Sequence, residues 1–385
     1  MILHGAVRII DSDSREGMLH ALRLIIVAKS GADMSWEEYV RKVVPYTPGE
    51  QPKIKNIIKL NTNENPYPPS PLVYKAYEET ELSDFRKYPD PTCSVLVDSI
   101  ASFYNVKKEN VFVGVGSDDV LSMAFLTFFN SDKPILFPDI TYSFYDVWAD
   151  LYRIPYKQMP LKDDFTIDPA DYYGENGGVV IANPNAPTGV KLSLDAIEDI
   201  ISHNRDVVVI VDEAYVDFGA ESALPLIDKY DNLLVVRTYS KSRSLAGLRI
   251  GYAFGCEKLI KYLLDAKFSF NSYTMNMPSL SLGAAAMNDR EYFEETTGKV
   301  IATRERTKVL LKELGFEFGD SATNFIFARH PGKAGKDIFD YLRSHDIIVR
   351  RFDKPSRISE YLRISIGTDE EMDRLIEVLK EYLGK

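Results

Sequence analysis

Six short apolar runs in the middle of the chain limit its possible folds more than any other feature. Each run is continuously apolar rather than alternating with polar residues, and stretches with helical periodicity separate the runs. A strand of this kind is buried on both faces, so the pattern predicts an α/β fold with a mainly parallel sheet covered by helices. The runs are 111–115, 134–137, 179–182, 207–211, 233–236 and 250–254.

The two ends of the chain follow other patterns. Toward the carboxyl terminus a long charged helix (289–314) precedes shorter strands near 324–328 and 361–366, which predicts a smaller α+β domain. Near the other end, residues 36–44 have a helical pattern that stops at Pro45. We therefore divide the chain into an extension of unknown role (1–33), an arm (34–65), a large domain (66–280) and a small domain (281–385).

Composition argues against several classes of partner. The net charge of −11 over 385 residues disfavours nucleic acid or an anionic membrane as a partner held by overall charge. A local basic pocket for a small anion stays open. The two cysteines and five histidines lack the spacing of zinc ligands, so we expect free thiols and no metal. No apolar stretch approaches the roughly 20 residues that span a bilayer, and we predict a cytoplasmic protein with small-molecule substrates.

Lys241 and Asp212 are the residues that most directly indicate chemistry. Each follows an apolar run, so both are predicted to lie at carboxyl ends of strands, where parallel sheets bind ligands. A lysine amine can form a Schiff base with a carbonyl group, and a shielded carboxylate can keep a heteroaromatic ring nitrogen protonated. Pyridoxal phosphate requires both functions. Taken alone, a Ser-Lys pair in an exposed loop is the simpler interpretation.

Other loops after the apolar runs offer groups that suit the same cofactor. The segment Gly114–Asp119 places the free amides of Ser117 and Asp118 at a helix start, which suits a phosphate but also an ordinary turn with a helix cap. The ring of Tyr142 can stack on a flat ligand or simply pack. Polar groups for a phosphate or a phenolic oxygen are also present at Asn183, Asn185, Tyr215, Thr238, Ser240 and Arg249.

Two arginines of the terminal domain suit an anionic substrate. Arg363 interrupts an apolar strand. Arg350 stands beside Arg351, so a solvated basic turn is an equal alternative there. Arginine is well suited to bidentate capture of a carboxylate or phosphate group.

The order and spacing of these motifs resemble those of fold-type I, pyridoxal-phosphate-dependent aminotransferases of the class I/II group. Within that group they resemble the histidinol-phosphate aminotransferases. The resemblance runs from about Trp36 to the carboxyl terminus and implies a large domain with a mainly parallel seven-stranded sheet between helices. The matching motifs occupy residues 45–49, 60–67, 86–91, 115–119, 212–215, 237–242, 247–252 and 362–367.

The resemblance implies a role for each of the residues above. Lys241 would carry the cofactor as a Schiff base, Asp212 would pair with the pyridine nitrogen, and Tyr215 would bond the phenolic oxygen. Tyr142 would stack on the ring, and Arg363 would anchor the anionic group of the substrate. The cofactor phosphate would be held by Ser117, Asp118, Thr238, Ser240 and Arg249.

Further implications concern the second subunit and the substrate. Tyr67 would reach the phosphate from the partner subunit, so the active sites would be shared within a homodimer. Arg350 and Tyr46 would help to recognise the substrate phosphate. One position departs from the family, much of which has asparagine directly before Pro-Thr-Gly where this chain has Ala186. We expect Asn185 to take that contact with the phenolic oxygen.

The implied reaction transfers an amino group between L-histidinol phosphate and 2-oxoglutarate, in histidine biosynthesis. An aromatic amino-acid aminotransferase and a phosphothreonine decarboxylase-like enzyme of the same family stay open as alternatives. A cofactor-sensing regulator built on a similar domain would need a separate DNA-binding module. The acidic chain and the short extension argue against such a module.

Overall fold

The computed structural model describes residues 36–52 and 56–385. The predicted extension, 1–33, lies outside the described residues. Residues 36–44 do not form the predicted helix, since only Trp36–Tyr39 makes a 3-10 turn. Val40, Val43 and Val44 follow that turn, and β-branched residues lose side-chain freedom in a helix, which disfavours its extension.

Twelve strands and ten α-helices occur in the described part of the chain. The strands are β1 (Ile58–Leu60), β2 (Val111–Gly114), β3 (Ile135–Pro138), β4 (Tyr156–Met159), β5 (Gly178–Ala182), β6 (Val209–Asp212), β7 (Leu233–Thr238), β8 (Gly251–Phe254), β9 (Glu317–Phe318), β10 (Phe325–Arg329), β11 (Ile347–Arg351) and β12 (Leu362–Ser365). The helices are α1 (Pro71–Glu78), α2 (Ser94–Tyr104), α3 (Ser117–Phe128), α4 (Tyr145–Tyr152), α5 (Leu194–Ser202), α6 (Glu257–Phe270), α7 (Met277–Asn288), α8 (Arg290–Glu313), α9 (Gly335–Ser344) and α10 (Asp369–Leu383).

Seven strands form the larger sheet, in the order β2-β8-β7-β6-β5-β3-β4. Only β8 runs antiparallel to its neighbours, so the predicted mainly parallel seven-stranded sheet is confirmed. All six apolar runs became strands of this sheet. The seventh strand, β4, escaped prediction because it lies at the edge and its first three residues are exposed.

Both faces of the larger sheet are buried, as the continuous apolar runs predicted. Val179 and Val211 pack into one core cluster with residues of α2, α5 and α7. Val180 and Ile210, which point the opposite way, pack with residues of α3, α4 and α6. Because successive side chains of a strand point to opposite faces, one uninterrupted apolar run supplies both layers.

The smaller sheet has five strands, in the order β1-β11-β12-β10-β9. Its core includes residues of α8, α9 and α10, and α10 begins with a capping box between Thr368 and Glu371. Strand β1, from the predicted arm, pairs in parallel with β11 and so belongs to this sheet. The domain limits stay a prediction, and the limit after residue 280 falls inside α7. In the part of the chain that is described, no helix is long and apolar enough to cross a membrane.

Candidate active site

One cavity lies at the carboxyl ends of the central strands. Ala182, Asp212 and Thr238, the last residues of β5, β6 and β7, all line it. Because parallel strands end at the same edge of a sheet, loops that are distant in sequence meet there. The lining also includes Thr62, Glu64, Ser117, Asp118, Tyr142, Ala186, Tyr215, Ser240, Lys241 and Arg249.

Asp212 lies at the floor of this cavity, with 5% of its surface exposed. The hydroxyl of Tyr145 donates to Oδ2 at 2.8 Å, and the backbone amide of Ala214 donates to Oδ1 at 3.1 Å. Burial raises the pKa of this carboxyl group to about 6, although the two hydrogen bonds oppose that rise. The carboxylate is therefore costly to keep charged unless a cation binds beside it.

Lys241 projects into the same cavity from the loop after β7. Its Nζ donates to the backbone carbonyl of Thr62 at 3.1 Å, and it lies 5.6 Å from the centre of the Tyr215 ring. The side-chain amide of Asn65 donates to the backbone carbonyl of Lys241 at 3.1 Å and so fixes the loop. In the described residues Lys241 forms no ion pair, which leaves its amine available to a ligand.

The far end of the cavity has the form of an anion site. Ser117 and Asp118 are the first residues of α3, where backbone amides have no acceptor within the helix. Gly116 has a φ of 86°, and a side chain there would collide with the guanidinium of Arg249. Position 251 also requires glycine, because a side chain there would collide with the backbone of Gly116 and Ser117.

The carboxylate of Asp118 is held in place by a hydrogen bond and an ion pair. It accepts from the Tyr142 hydroxyl at 2.7 Å and pairs with Arg249 at 3.2 Å. An anionic ligand would be repelled by that carboxylate, so only the amide of Asp118 suits a phosphate. The hydroxyl of Thr238 donates to the hydroxyl of Ser240 at 3.0 Å, and that of Ser240 accepts from Arg249 at 3.5 Å.

A second chamber opens beside the first and contains Tyr46, Arg350 and Arg363. Arg350 and Arg363 stand directly opposite each other on the antiparallel strands β11 and β12. Neither forms an ion pair within the described residues, and the buried Nε of Arg363 has no hydrogen-bond partner. Burial lowers the pKa of Arg363, and the charge of Arg350 lowers it further. The two chambers share the lining residues Thr62, Tyr142, Ala186, Tyr215 and Lys241.

Two residues to which the resemblance assigned a role do not line the cavity of their own chain. The side-chain amide of Asn185 is hydrogen-bonded to the surrounding loops. It donates to the backbone carbonyl of Ile140 and the hydroxyl of Thr188, and it accepts from the hydroxyl of Thr141. The expected contact of Asn185 with the phenolic oxygen is therefore not supported, and Ala186 lines the cavity instead. Tyr67 lines a separate groove beside Lys299 and Arg306. All the other residues to which the resemblance assigned a role line one of the two chambers, whereas the side chain of Asn183 bonds to the backbone of Leu192.

Three residues of this site were not predicted from the sequence. Thr62 supplies the carbonyl that receives Lys241, Asn63 donates to the hydroxyl of Tyr215, and Tyr145 donates to Asp212. The first two lie in segment 61–71, which is polar and rich in proline and asparagine. That composition is unusual enough to mark the segment, but nothing in the sequence indicated which residues its side chains would contact. Tyr145 is the first residue of α4 and follows Tyr142 by three positions, a spacing that also suits simple packing.

The model of the family "Aminotransferase class I and II" matches residues 55–379. A histidinol-phosphate aminotransferase of Lactococcus lactis subsp. cremoris (strain MG1363) is 51% identical over 350 residues, which cover 91% of this chain and 98% of that one. A histidinol-phosphate aminotransferase of Brachyspira hyodysenteriae (strain ATCC 49526 / WA1) is 54% identical, over 88% of this chain and 96% of that one.

A solved structure is similar as well. The histidinol-phosphate aminotransferase of Sinorhizobium meliloti, in complex with pyridoxal-5'-phosphate, has a TM-score of 0.76 and 26% identity, over 85% of this chain and 91% of that one. The predicted resemblance and fold type are thus confirmed. Since the family model spans most of the chain and the relatives match over nearly their whole lengths, this chain belongs to the aminotransferase class I and II family.

Proposed function

We propose that this chain transfers an amino group between L-histidinol phosphate and 2-oxoglutarate, with pyridoxal phosphate as cofactor. The products are imidazole acetol phosphate and glutamate, so the reaction belongs to histidine biosynthesis. One observation carries the proposal. Among the described residues, a lysine amine outside any ion pair and a buried carboxylate line one chamber, and two guanidinium groups without carboxylate partners line the chamber beside it. The printed names of the relatives agree with this reaction.

The residues of the first chamber fit this cofactor. Asp212 offers a buried anion to a protonated ring nitrogen, which would relieve the cost of its burial. The amides at the start of α3 and the guanidinium of Arg249 suit a phosphate at the other end. When bound, the cofactor supplies an electron sink that stabilises negative charge on the substrate carbon.

Lys241 acts as the base and acid of this reaction. Lys241 lines both chambers. With the cofactor bound, the Lys241 amine would serve as general base toward the substrate carbon and then, once protonated, as general acid. The carbonyl of Thr62, 3.1 Å from Nζ, accepts a hydrogen bond from the amine and limits the volume that it can sample.

Arg363 and Arg350 bind the anionic group of the substrate. Like charges directly opposite each other in an antiparallel pair destabilise a sheet, and an anion between them removes that repulsion. Arg363 donates through one terminal nitrogen to the carbonyl of Asn61 at 3.0 Å, which leaves its buried Nε for a ligand. A phosphate on the donor and a carboxylate on 2-oxoglutarate meet the same requirement.

The experiment compares three amino donors with 2-oxoglutarate as the common acceptor. Histidinol phosphate, phenylalanine and phosphothreonine are each incubated with the cofactor-loaded enzyme, and glutamate and carbon dioxide are measured. We expect the greatest kcat/KM for glutamate formation with histidinol phosphate. Equal or faster turnover of phenylalanine would indicate an aromatic aminotransferase, and carbon dioxide from phosphothreonine would indicate a decarboxylase.

We also propose that the enzyme is a homodimer with shared active sites. Tyr74, Tyr77 and Tyr88 expose 55%, 69% and 79% of their surfaces, an unusual amount for large apolar residues. Tyr67 does not line the cavity of its own chain, so a contact with the cofactor would have to come from the partner.

Mixed dimers of Lys241→Ala and Tyr67→Phe subunits test this arrangement. If Tyr67 serves the partner's site, one site of each mixed dimer keeps both residues and has the cofactor affinity of the unsubstituted enzyme. If every site in the mixed dimers has lost one residue, the shared-site proposal is wrong.

We place the reaction in the cytoplasm, which the two free thiols, Cys93 and Cys256, support.

A further inference from the structure

We infer that Asn63 is a positioning residue that directs the hydroxyl proton of Tyr215 into the cavity. The inference rests on the proposed function, because the acceptor of that proton would be the phenolic oxygen of the cofactor. Asn63 lines the second chamber but not the first, whereas Tyr215 lines both. Its effect on a cofactor in the first chamber would therefore be exerted through Tyr215.

The hydrogen bonds around Asn63 determine which way its side-chain amide faces. Its backbone N–H can only donate, and it does so to the hydroxyl oxygen of Ser365 at 2.9 Å. The proton of Ser365 is then free to donate to Oδ1 of Asn63, also at 2.9 Å. With Oδ1 turned to Ser365, the amide nitrogen Nδ2 faces the hydroxyl of Tyr215 at 2.9 Å.

This orientation makes the oxygen of Tyr215 an acceptor. An amide nitrogen cannot accept, so the proton of Tyr215 cannot be used in this contact. In the described part of the chain, that hydroxyl has no acceptor, while the Tyr215 side chain lines both chambers. The proton is therefore available to a ligand oxygen in the cavity. A hydroxyl that accepts one hydrogen bond also becomes a stronger donor, since chains of hydrogen bonds polarise one another.

The neighbouring loop supplies no competing amide. Ala186 lines the cavity with a methyl group, and the side chain of Asn185 is bonded to Ile140, Thr188 and Thr141. The phenolic oxygen therefore depends on Tyr215 more than it would with a polar residue at 186.

Asn63 is rigidly held. It is buried, with 1% of its surface exposed, and its φ of 57° lies in the left-handed region that asparagine tolerates better than most residues. Asn324 donates to its backbone carbonyl at 2.9 Å. Four hydrogen bonds thus fix one side chain and its backbone, as expected where the direction of a proton matters.

The test uses the visible absorbance of the cofactor-loaded enzyme as a function of pH. The pH at the midpoint of the absorbance change reports protonation of the nitrogen that joins Lys241 to the cofactor. Donation to the phenolic oxygen lowers this midpoint, because the full negative charge rests on that oxygen once the nitrogen is unprotonated. Tyr215→Phe should raise the midpoint. Asn63→Gly, which keeps the left-handed backbone, should raise it by about half to one pH unit.

The decisive comparison is the double substitution. In the Tyr215→Phe background Asn63→Gly should shift the midpoint no further, because its effect passes through the lost hydroxyl. Ala186→Asn should return the midpoint of the Asn63→Gly enzyme toward its original value, since it adds a second donor. If Asn63→Gly does not fold, Ser365→Ala takes its place, with a smaller shift in the same direction.

The control is Asn176→Ala, at a buried amide before β5 that bonds to Asn204 at 2.7 Å. It should lower stability without moving the midpoint. An unmoved midpoint in Asn63→Gly, or an equal shift with and without the Tyr215 hydroxyl, overturns the inference and leaves the proposed function intact. An enzyme that shows no cofactor absorbance at all overturns both.

Discussion

Replacing Asp212 with asparagine should stabilise the cofactor-free protein and inactivate the enzyme. Burial raises the pKa of Asp212 from the ordinary 3.8 to about 6, so the folded protein binds this proton more tightly than the unfolded chain does. The folded state is therefore favoured below about pH 4, and this contribution is lost as pH rises toward 6. Two pKa values that differ by about two correspond to about 3 kcal/mol.

The assay is urea unfolding of the cofactor-free protein between pH 4 and pH 8. Near pH 4 the protein and its Asp212→Asn variant should have similar free energies of unfolding. Above pH 6 the variant should be more stable by about 3 kcal/mol, because its amide carries no charge to bury. Added pyridoxal phosphate should reverse that order, since only the carboxylate can hold a protonated ring nitrogen.

The control is Asp132→Asn, at an exposed carboxylate before β3, which should produce no such pH window. A free-energy difference between the protein and the Asp212→Asn variant that is the same at pH 4 and pH 8 would refute the reasoning. It would mean that the two hydrogen bonds to Asp212 fully offset its burial.

Three further substitutions test other parts of the molecule. Lys241→Ala should lower glutamate formation by more than about 100-fold, with partial recovery on addition of methylamine; near-normal turnover would remove Lys241 from the proton transfer. Arg363→Lys should raise KM for histidinol phosphate by about 10- to 100-fold with little change in kcat, because the fork of donors is lost while the charge stays; an unchanged KM would contradict its role as anchor. Glu213→Leu should destabilise the fold by up to about 3–5 kcal/mol in urea unfolding, since it removes the nearer carboxylate, at 2.9 Å, from the buried guanidinium of Arg237 and leaves only Asp217 at 3.6 Å. The double variant with Arg237→Met should recover much of that loss; equal instability of both variants would argue that packing dominates.

The sequence alone was sufficient for six of the seven strands of the larger sheet and for the centre of the site. Six continuous apolar runs can be buried only between two layers of helices, so the parallel sheet follows from local composition. Lys241 and Asp212 stand directly after such runs, and strand ends of a parallel sheet share one edge. Their meeting in one cavity was thus predictable without coordinates.

Contacts between segments that are distant in sequence could be identified only in the tertiary structure. Strand β1 pairs with β11, and Asn63 bonds to Ser365 across 302 positions of sequence, yet no local pattern marks either pairing. The side chain of Asn185 forms hydrogen bonds with Ile140 and Thr141. The residues next to Asn185 in the sequence do not show that these two would lie beside it. Apolar periodicity specifies which face of an element is buried, whereas a polar side chain takes its partner from whatever donor or acceptor the fold brings within about 3 Å.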